Sequence, residues 1–596
     1  MRSWWRVALG TICLLIGLWL VLDPFASMTV LLLSVVVGLA LLGLGDLLGQ
    51  DAGPRGLSTV AGLLWLAAAV AVLAWPGATV SVIAWLTGIV VVLQGAIAVV
   101  AGLRGRTPQR VSSVVLGVAL LLIGTVALLW PDITIFVVAL LLGGWLVVRG
   151  VSLLWRGLVR PSPAGAAPAG VGRAGVGPAG AGSTRAARND QPRPPGRLRR
   201  LGTTAVAVLA LVVAVLLTGV SAYLHSSKPT PDGFYAAPGS TAGQAPGTLL
   251  RTEPFTRDVP SDARAWRILY TTTRDEGITA VASAIVVIGR RAPAGPRPVI
   301  AWAHGTTGYA EDCAPSLVAH PFAAGATPAL HEVVDNGWVM VATDYIGLGT
   351  QGPQPYLIGQ GEARSVLDAV RAAHRMRELA LADETVVWGH SQGGHAALWT
   401  GIIAPRYAPD VDIVGIAALA PASNLPALVS TVDTVTGGSI FASFVVQAYA
   451  DTYPDVRFDD VVRPAARVQV REMAQRCLSG PEVYVSVVDA LLLDKSIFRT
   501  DPTTGVIGRR LSANVPSGPI DAPLLIAQGA SDTLVLPAAQ DEYVQRRCAA
   551  GGRVDYRVYA GRDHVGLVAA DSPLVPDLLR WTQDRLDGRP ARSTCG

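Results

Sequence analysis

The first 155 residues consist of long apolar runs separated by short polar stretches. Most of these runs are long enough to cross a hydrocarbon core of about 30 Å as α-helices. The runs cover approximately residues 7–22, 28–45, 57–75, 79–101, 112–130 and 133–151. The pattern therefore predicts an all-α, six-helix transmembrane domain at residues 1–155.

The apolar runs form a repeat. Pro24, Pro76 and Pro131 each lie between two runs, at spacings of 52 and 55 residues, and small or β-branched residues follow each of them. A fixed period of this size indicates duplicated units, here three helical hairpins with proline in the turn. The repeats resemble the HdeD-like acid-resistance membrane proteins, and the resemblance implies a fold but no activity. A passive anchor or an oligomerisation module is as good an interpretation as transport.

The arginines predict an orientation in the membrane. They occur before the first helix, between helices two and three, between helices four and five, and after the sixth helix, whereas the proline turns contain no Lys or Arg. By the positive-inside rule the N-terminus is cytoplasmic. Residues 156–200 are rich in Pro, Ala, Gly and Arg and are predicted to be a disordered linker. A seventh apolar run at 201–224 then carries the chain across, so that everything after Tyr223 is expected outside the cytoplasm.

The pattern changes after a second polar linker at residues 225–250. From about residue 251 to residue 590, strand-like and helix-like stretches alternate, which predicts an α/β domain with a mostly parallel sheet. The strand candidates are 266–273, 280–289, 298–303, 338–344, 385–389, 412–419, 522–528 and 554–559. The helix candidates are 328–336, 361–379, 392–404, 536–549 and 572–586. The alternation stops at about 422–520, which predicts an inserted, mainly helical cap.

Composition supports a membrane protein and narrows the possible partners. The chain is 51% hydrophobic and only 15% charged. Its net charge of +5 comes almost entirely from arginine, without a basic face interleaved with aromatic residues, so no nucleic-acid partner is predicted. No Cys-x-x-Cys or His-Glu-x-x-His spacing occurs, so neither a metal nor another cofactor is expected. No oligomeric state is predicted.

Cysteine placement agrees with an oxidising compartment for the C-terminal half. Cys13 lies in an apolar run, whereas the other four cysteines all follow the seventh span. An even number of cysteines in such a region permits two disulfides. Their pairing is not fixed by the spacing; the four residues are Cys313, Cys477, Cys548 and Cys595.

The stretch around Ser391 carries the main candidate chemistry. A β-branched run at 385–387 leads into Gly389-His390-Ser391-Gln392-Gly393, and a helix-like stretch follows. A Gly-x-Ser-x-Gly pentapeptide between a strand and a helix is typical of a nucleophile elbow, whose turn raises the serine hydroxyl above the sheet edge. The alternative is an ordinary serine in a glycine-rich turn.

Candidate acid and base residues follow Ser391 in the order that an α/β-hydrolase requires. Asp532 comes directly after the strand at 522–528, and His564 comes after the strand at 554–559. Loops at the carboxyl ends of parallel strands bind ligands in such sheets. Asp571 is a weaker alternative for the acid, and Asp563 is too close in sequence to His564 to orient its ring easily.

An oxyanion site is predicted beside the elbow. The backbone N–H of Gln392 is one expected donor, and the turn at Gly305 and Thr306, which follows the strand at 298–303, is the other. The three histidines near these turns are interpreted as residues that pack or structure the loops. They are His304, His390 and His395.

Taken together, these motifs resemble the secretory lipase family, the group that contains the fungal lipase-A-type enzymes. The resemblance covers roughly residues 248–590 and is carried by Ala303–Gly308, Cys313–Ser316, Ala342–Gly349 and the Ser391 elbow. It implies an α/β-hydrolase fold, hydrolysis of carboxylic esters, often of lipids, beneath a helical cap, and the bridges Cys313–Cys477 and Cys548–Cys595. The fusion to a membrane domain is a departure from the family, whose members are secreted.

The sequence therefore predicts a membrane-anchored, extracytoplasmic serine esterase or lipase with Ser391 as nucleophile, His564 as base and Asp532 as the orienting acid. Its expected partners are a lipid or small ester substrate and the membrane itself. Two alternatives stay open. One is a cell-envelope acyltransferase that uses the same triad, and the other is a non-catalytic acid-stress membrane protein.

Overall fold

The structure is a computed structural model that describes residues 2–22, 76–105, 109–158, 197–226 and, apart from short gaps, 228–595, with isolated helical residues between 36 and 70. The predicted spans at 28–45 and 57–75, and most of the predicted linker at 156–200, lie outside the described residues. The chain divides into two compact units, Met1–Ser221 and Ala222–Gly596. The predicted domain boundaries otherwise stay a prediction.

The described part of the first unit is all-helical. Its helices are α1 (Arg2–Leu22), α2 (Pro76–Leu103), α3 (Arg110–Leu129), α4 (Pro131–Leu158) and α5 (Arg197–Ser226). Stretches of four of them, all but α1, are long and apolar enough to cross a membrane, whereas the apolar part of α1 is the shorter segment Gly10–Leu22. These helices confirm the predicted fold class of this half.

Glycines spaced seven residues apart decide which helices pair. A Cβ added to Gly95 of α2 would lie 2.8 Å from the carbonyl oxygen of Gly117 of α3, and the reverse distance is also 2.8 Å. Gly10 of α1 and Gly150 of α4 face each other in the same way, at 3.0 and 2.8 Å. Because small residues let helix backbones approach closely, α2 packs mainly on α3 and α1 mainly on α4. The helices that flank the proline turn at Pro131 are joined there but pack mainly on other partners.

The second unit contains one sheet of nine described strands. The strands are β1 (Leu249–Phe255), β2 (Ala263–Thr273), β3 (Thr279–Gly289), β4 (Arg297–Ala303), β5 (Val339–Thr343), β6 (Leu381–His390), β7 (Asp412–Leu419), β8 (Leu524–Gly529) and β9 (Asp555–Tyr559). Their order is β1-β2-β3-β5-β4-β6-β7-β8-β9. The strands from β5 to β9 in this order are parallel, and β1, β2 and β3 are antiparallel. The predicted mostly parallel sheet is therefore confirmed.

The central strands are continuous apolar runs because helices cover both faces of the sheet. The helices of this unit are α6 (Pro321–Ala324), α7 (Leu330–Asp335), α8 (Gly359–His374), α9 (Gln392–Tyr407), α10 (Leu425–Ser430), α11 (Gly438–Thr452), α12 (Phe458–Val461), α13 (Arg467–Ala474), α14 (Val483–Leu492), α15 (Gly505–Ala513), α16 (Pro537–Ala549) and α17 (Leu574–Leu586). Helices α10 to α15 lie between β7 and β8 in the chain.

One strand was not expected from the sequence. Strand β1 begins at Leu249, inside the predicted linker, and continues through Arg251, Glu253 and Pro254. It lies at the edge of the sheet and pairs only with β2. An edge strand tolerates charged residues and proline, because one of its sides needs no hydrogen-bonded partner. Because charged residues and proline are allowed in this strand, its sequence lacks the alternation of apolar and polar residues that predicts a strand.

Candidate active site

Ser391 occupies a strained turn between β6 and α9. Its backbone angles are φ 58° and ψ −117°, in a region that residues other than glycine rarely adopt. The flanking glycines are required by lack of space. A Cβ on Gly393 would lie 1.9 Å from the Ala303 carbonyl oxygen, and a Cβ on Gly389 would lie 2.0 Å from the Gly393 carbonyl oxygen. The strand, the turn and the helix can therefore pack this closely only with glycine on both sides of the serine.

Ser391, His564 and Asp532 form a continuous chain of hydrogen bonds. The Ser391 hydroxyl lies 2.8 Å from Nε2 of His564, and Nδ1 of His564 lies 2.7 Å from Oδ2 of Asp532. The other carboxylate oxygen of Asp532 accepts the backbone N–H groups of Leu534 and Val535 at 2.9 and 2.8 Å. With Nδ1–H donating to the carboxylate, Nε2 is free to accept the hydroxyl proton.

The surroundings keep the Asp532 carboxyl ionised. Burial alone would raise its pKa, but hydrogen bonds from His564, Val535 and Leu534 outweigh burial and hold the pKa of Asp532 below its ordinary value. The alternative acids are engaged elsewhere. Asp563 accepts the backbone N–H of Gly566 at 2.7 Å, and Asp571 pairs with Arg562 at 3.0 Å.

The predicted oxyanion residues lie beside the nucleophile. A Cβ on Gly305 would be 3.7 Å from the Cβ of Ser391. Thr306 and Gln392 line the same pocket as Ser391, and the Thr306 hydroxyl lies 3.0 Å from the Tyr356 hydroxyl. Gln392 is the first residue of α9. N–H groups in the first turn have no acceptor within the helix and can therefore serve a negatively charged oxygen.

An apolar pocket of about 550 Å³ opens onto Ser391. Its floor is the elbow and the Thr306 turn, and its walls come mostly from the segment between β7 and β8. The lining residues include Leu428, Val429, Val432, Phe441, Ala442 and Val445, together with Leu534 and Val535 of the Asp532 loop. A pocket with such an apolar lining suits the hydrocarbon part of a ligand.

Both halves of the chain match known sequence families. Residues 326–594 match the model of the secretory lipase family. Residues 60–114 and 115–170 match a short repeat of unknown function, which agrees with a repeat in the membrane half, while the division into three helical hairpins stays a prediction.

Individual relatives agree with the family match. Lipase A of Moesziomyces aphidis is 25% identical over 421 residues, which cover 66% of this chain and 87% of that protein. A probable inactive lipase of Mycobacterium tuberculosis (strain CDC 1551 / Oshkosh) is 27% identical over 391 residues, covering 61% and 83%. The crystal structure of Candida antarctica lipase A superposes with a TM-score of 0.53 at 20% identity, covering 62% of this chain and 89% of that one. The C-terminal part of the chain is therefore similar to secretory lipases in sequence and to lipase A in fold, and it is called the lipase domain below.

The lipase domain holds a buried polar cluster that the sequence did not reveal. Glu362 of α8 accepts hydrogen bonds from the Gln392 side chain at 2.8 Å and the Leu357 N–H at 3.0 Å, and it pairs with Nδ1 of His395 at 2.8 Å. Nε2 of His395 faces the Asn514 carbonyl oxygen at 2.8 Å. His395 is therefore buried, as interpreted, but its role is polar as well as steric. Burial raises the pKa of Glu362, although its hydrogen bonds oppose that shift.

This cluster connects the first residue of α9 to helix α8. Gln392 supplies the N–H beside Ser391, and its side chain is tied through Glu362 to α8. Asn514 also holds the N–H of Gly359 at 3.0 Å through its side chain. One signal could have found the acid. Glu362 lies at helical spacing from Val366, Ala369 and Ala373, on the buried face of α8.

His390 and His304 are both buried, and burial favours the uncharged form of an imidazole. Nε2 of His390 donates to the carbonyl oxygen of His564 at 2.9 Å, and burial lowers the pKa of His390 to about 3. His304 bonds the carbonyl oxygen of its own neighbour, Gly305, at 2.6 Å, and burial lowers its pKa as well. Both rings position loops of the lipase domain, as the sequence suggested.

Asp344 connects two of the sequence segments that carry the family resemblance. This buried carboxylate accepts the Ser283 hydroxyl at 2.6 Å, the Ser316 hydroxyl at 2.5 Å and the Ser316 N–H at 2.9 Å. It therefore joins the segment 342–349 to the segment 313–316. Cys313 in the second segment is in turn bonded to Cys477.

Both disulfides implied by the resemblance are present. Cys313 bonds Cys477 across 164 residues, and Cys548 bonds Cys595 across 47. Asp312 lies beside the first bridge, and among the described residues these three groups are the one set close enough to hold a metal ion. Since the bridge consumes both sulfurs, the set does not fit a metal.

Proposed function

We propose that the lipase domain hydrolyses carboxylic esters, with lipids as the substrate class, through Ser391, His564 and Asp532. The observation that carries the proposal is the hydrogen-bonded chain from the Ser391 hydroxyl to the Asp532 carboxylate at the floor of an apolar pocket. One relative is described as an inactive lipase, so the residues of this chain have to carry the assignment themselves. All three groups are present here, and His564 is hydrogen-bonded to both Ser391 and Asp532.

The first half of the reaction forms an acyl-enzyme. His564 takes the Ser391 proton at Nε2 while Oγ attacks the ester carbonyl carbon, and the carbonyl oxygen becomes an oxyanion. The N–H of Gln392 and the Gly305–Thr306 turn stabilise that oxyanion. When the C–O bond to the alcohol breaks, the imidazolium returns its proton to the leaving oxygen. Asp532 stabilises the imidazolium throughout.

The second half releases the acid. Water gives a proton to Nε2 of His564 and attacks the acyl carbon, and collapse of the new tetrahedral intermediate returns the proton to the Ser391 oxygen. The acyl chain lies in the pocket lined by α10 and α11. The named activity of relatives supports a lipid substrate, since one is a secreted triacylglycerol lipase of Malassezia globosa (strain ATCC MYA-4612 / CBS 7966), 26% identical over 423 residues.

We further propose that the lipase domain lies outside the cytoplasm. Helix α5 is apolar enough to cross the membrane immediately before this domain. Disulfides persist in oxidising compartments, and the domain contains two. The distribution of arginines among the loops, read by the positive-inside rule, also favours a location outside the cytoplasm.

Active-site labelling tests the catalytic proposal. The full-length protein in detergent should react covalently with a fluorophosphonate probe, and Ser391→Ala should not react. Ser423, a buried serine whose hydroxyl contacts Gln540, provides the matched control, and Ser423→Ala should label like the wild type. Equal labelling of wild type and Ser391→Ala would refute the assignment. Product analysis with an added alcohol then separates hydrolysis, which yields free acid, from acyl transfer, which yields a new ester.

A further inference from the structure

Helix α14 is oriented with its apolar side toward solvent. Tyr484, Val487, Val488 and Leu491 are 72%, 37%, 46% and 67% exposed, and their spacing places them on one face. A helix on the surface of a soluble domain normally has the opposite arrangement. The exposed face is thus an apolar stripe more than two turns long.

The opposite face of α14 is polar and buried. Asp489 is fully buried and bonds the guanidinium of Arg476 at 2.8 Å, and Ser486 on the same face is also buried. The Arg476 side chain is itself only 5% exposed. Rotating the helix to hide its apolar residues would break this buried ion pair, which is strongly destabilising. The orientation is therefore fixed by the fold, and the apolar stripe needs an external partner.

The segment that follows helix α5 contacts the lipase domain close in sequence to α14. Helix α5 ends at Ser226, and the lipase-domain unit begins at Ala222, in its last turns. Lys228 follows two residues later, a reach of about 7 Å at most. Its Nζ pairs with Asp312 at 3.0 Å and donates to the Gln475 carbonyl oxygen at 2.8 Å. Gln475 directly follows α13 and precedes α14 by only eight residues.

We propose that α14 docks onto the lipid bilayer that α5 spans, with Tyr484, Val487, Val488 and Leu491 buried in the interfacial region of the leaflet from which α5 emerges. Interfacial helices bury an apolar face about 5–10 Å into the boundary between headgroups and acyl chains. Tyrosine is enriched at that depth because its ring is apolar and its hydroxyl stays hydrated. The contacts of Lys228 tie the chain that follows α5 to Asp312 and to Gln475, eight residues before α14.

Docking would also position the pocket. Helix α14 packs against α11, and α11 contributes Phe441, Ala442 and Val445 to the pocket that opens onto Ser391. The surface that contacts lipid and the wall that would contact an acyl chain are then neighbouring helices. The docking itself does not depend on the proposed chemistry.

Depth-dependent quenching in the full-length protein tests the docking. The background is Cys13→Ala, so that one added thiol is labelled with an environment-sensitive fluorophore at Leu491→Cys. The control is Val558→Cys on the edge strand β9, where Val558 is 53% exposed. Both proteins are reconstituted into phosphatidylcholine–phosphatidylglycerol vesicles containing lipids with a spin label near the headgroup. The label at 491 should lose at least about half of its fluorescence, and the label at 558 should lose little.

Three results would overturn the proposal. The label at 491 could stay unquenched, or both labels could be quenched equally, which would mean that the domain contacts lipid without using α14. The label at 491 could instead escape lipid quenching but self-quench as the protein density in the vesicle rises, which would show that a second copy of the chain covers the stripe. Repeating the measurement in Ser391→Ala separates docking from catalysis, because the quenching should persist in that variant.

Discussion

Replacing Asp532 by asparagine should trap the base in the wrong protonation state. Oδ1 of Asp532 accepts two backbone N–H groups, from Leu534 and Val535, and neither can donate to an amide NH2. These two donors hold the asparagine carbonyl oxygen at the Oδ1 position, and the Gln528 amide, which donates to Oδ2 at 3.1 Å in the wild type, has to turn its oxygen toward the new NH2 group. The asparagine NH2 group then points at Nδ1 of His564, at the site where a carboxylate oxygen now lies 2.7 Å away.

The consequence is a tautomer change. Nδ1 of His564 must accept a hydrogen bond from the new amide, so the proton moves to Nε2, which faces the Ser391 hydroxyl at 2.8 Å. A protonated Nε2 cannot take the hydroxyl proton. The corresponding substitution in the well-studied serine protease triad lowers kcat by about 10⁴, and the same loss is expected here, equivalent to about 5 kcal/mol in activation free energy.

The assay is hydrolysis of a short p-nitrophenyl ester by the full-length protein in detergent, with thermal unfolding as the check on folding. Asp532→Ala is the comparison, because it removes the carboxylate without imposing a tautomer and should retain at least as much activity as Asp532→Asn. If Asp532→Asn kept more than about a tenth of the wild-type kcat, Asp532 would not be the residue that orients His564.

Other measurements follow from the same structure. Ser391→Ala should abolish turnover of the same ester while the fold is kept, and retention of more than about a tenth of the activity would exclude the serine as nucleophile. A topology reporter fused after residue 240 should be external and one fused near residue 180 cytoplasmic, and the reverse pattern would mean that the span count is wrong by one. Protein from an oxidising compartment should show no reactive thiol in the lipase domain, and two reactive thiols would contradict the pairing. Reduction should lower its melting temperature, because the Cys313–Cys477 bridge closes a loop of 164 residues. In the chain-entropy model, closing this loop stabilises the fold by up to about 5 kcal/mol. Burial lowers the pKa of His390 from 6.5 to about 3, so below pH 6.5 only the unfolded chain takes up this proton and stability falls toward pH 3. Between pH 7 and pH 5 this one group should cost the wild type about 2 kcal/mol of unfolding free energy that His390→Gln does not lose, and parallel pH profiles of the two proteins would disprove the effect.

Apolar pattern alone was enough for most of the sheet, because central parallel strands are buried on both faces. The run 412–419 matches β7 at both ends, since charged residues and a turn bound it. Strand β1 was missed because its edge position allows charge and proline. The pattern of apolar residues therefore predicts strands that are buried on both faces and misses an exposed edge strand.

Contacts between distant segments were beyond the reach of the pattern. Ser391, Asp532 and His564 could be nominated because each follows a predicted strand, and parallel strands end at one edge of the sheet. Glu362 lies within a helix, and Asp344, although it follows β5, was not recognised as a polar centre because its partners come from other segments. Their partners lie 28 to 61 residues away along the chain, and each contact exists only once the strands and helices have packed. The packing of α1 against α4 in the membrane half is likewise a contact between distant segments that the apolar pattern does not predict.

The backbone conformation of Ser391 indicates why a serine is kept at this position. A φ of 58° and ψ of −117° suits glycine and strains serine, so the side chain is retained against a local conformational cost. The two flanking glycines, in contrast, are demanded by packing whether or not the site is active. A lineage released from selection for ester cleavage would keep Gly389 and Gly393 and gain stability by exchanging the serine for a third glycine. We therefore expect the two glycines to persist in relatives of this fold whether or not they cleave esters, and the serine to persist only in relatives that do.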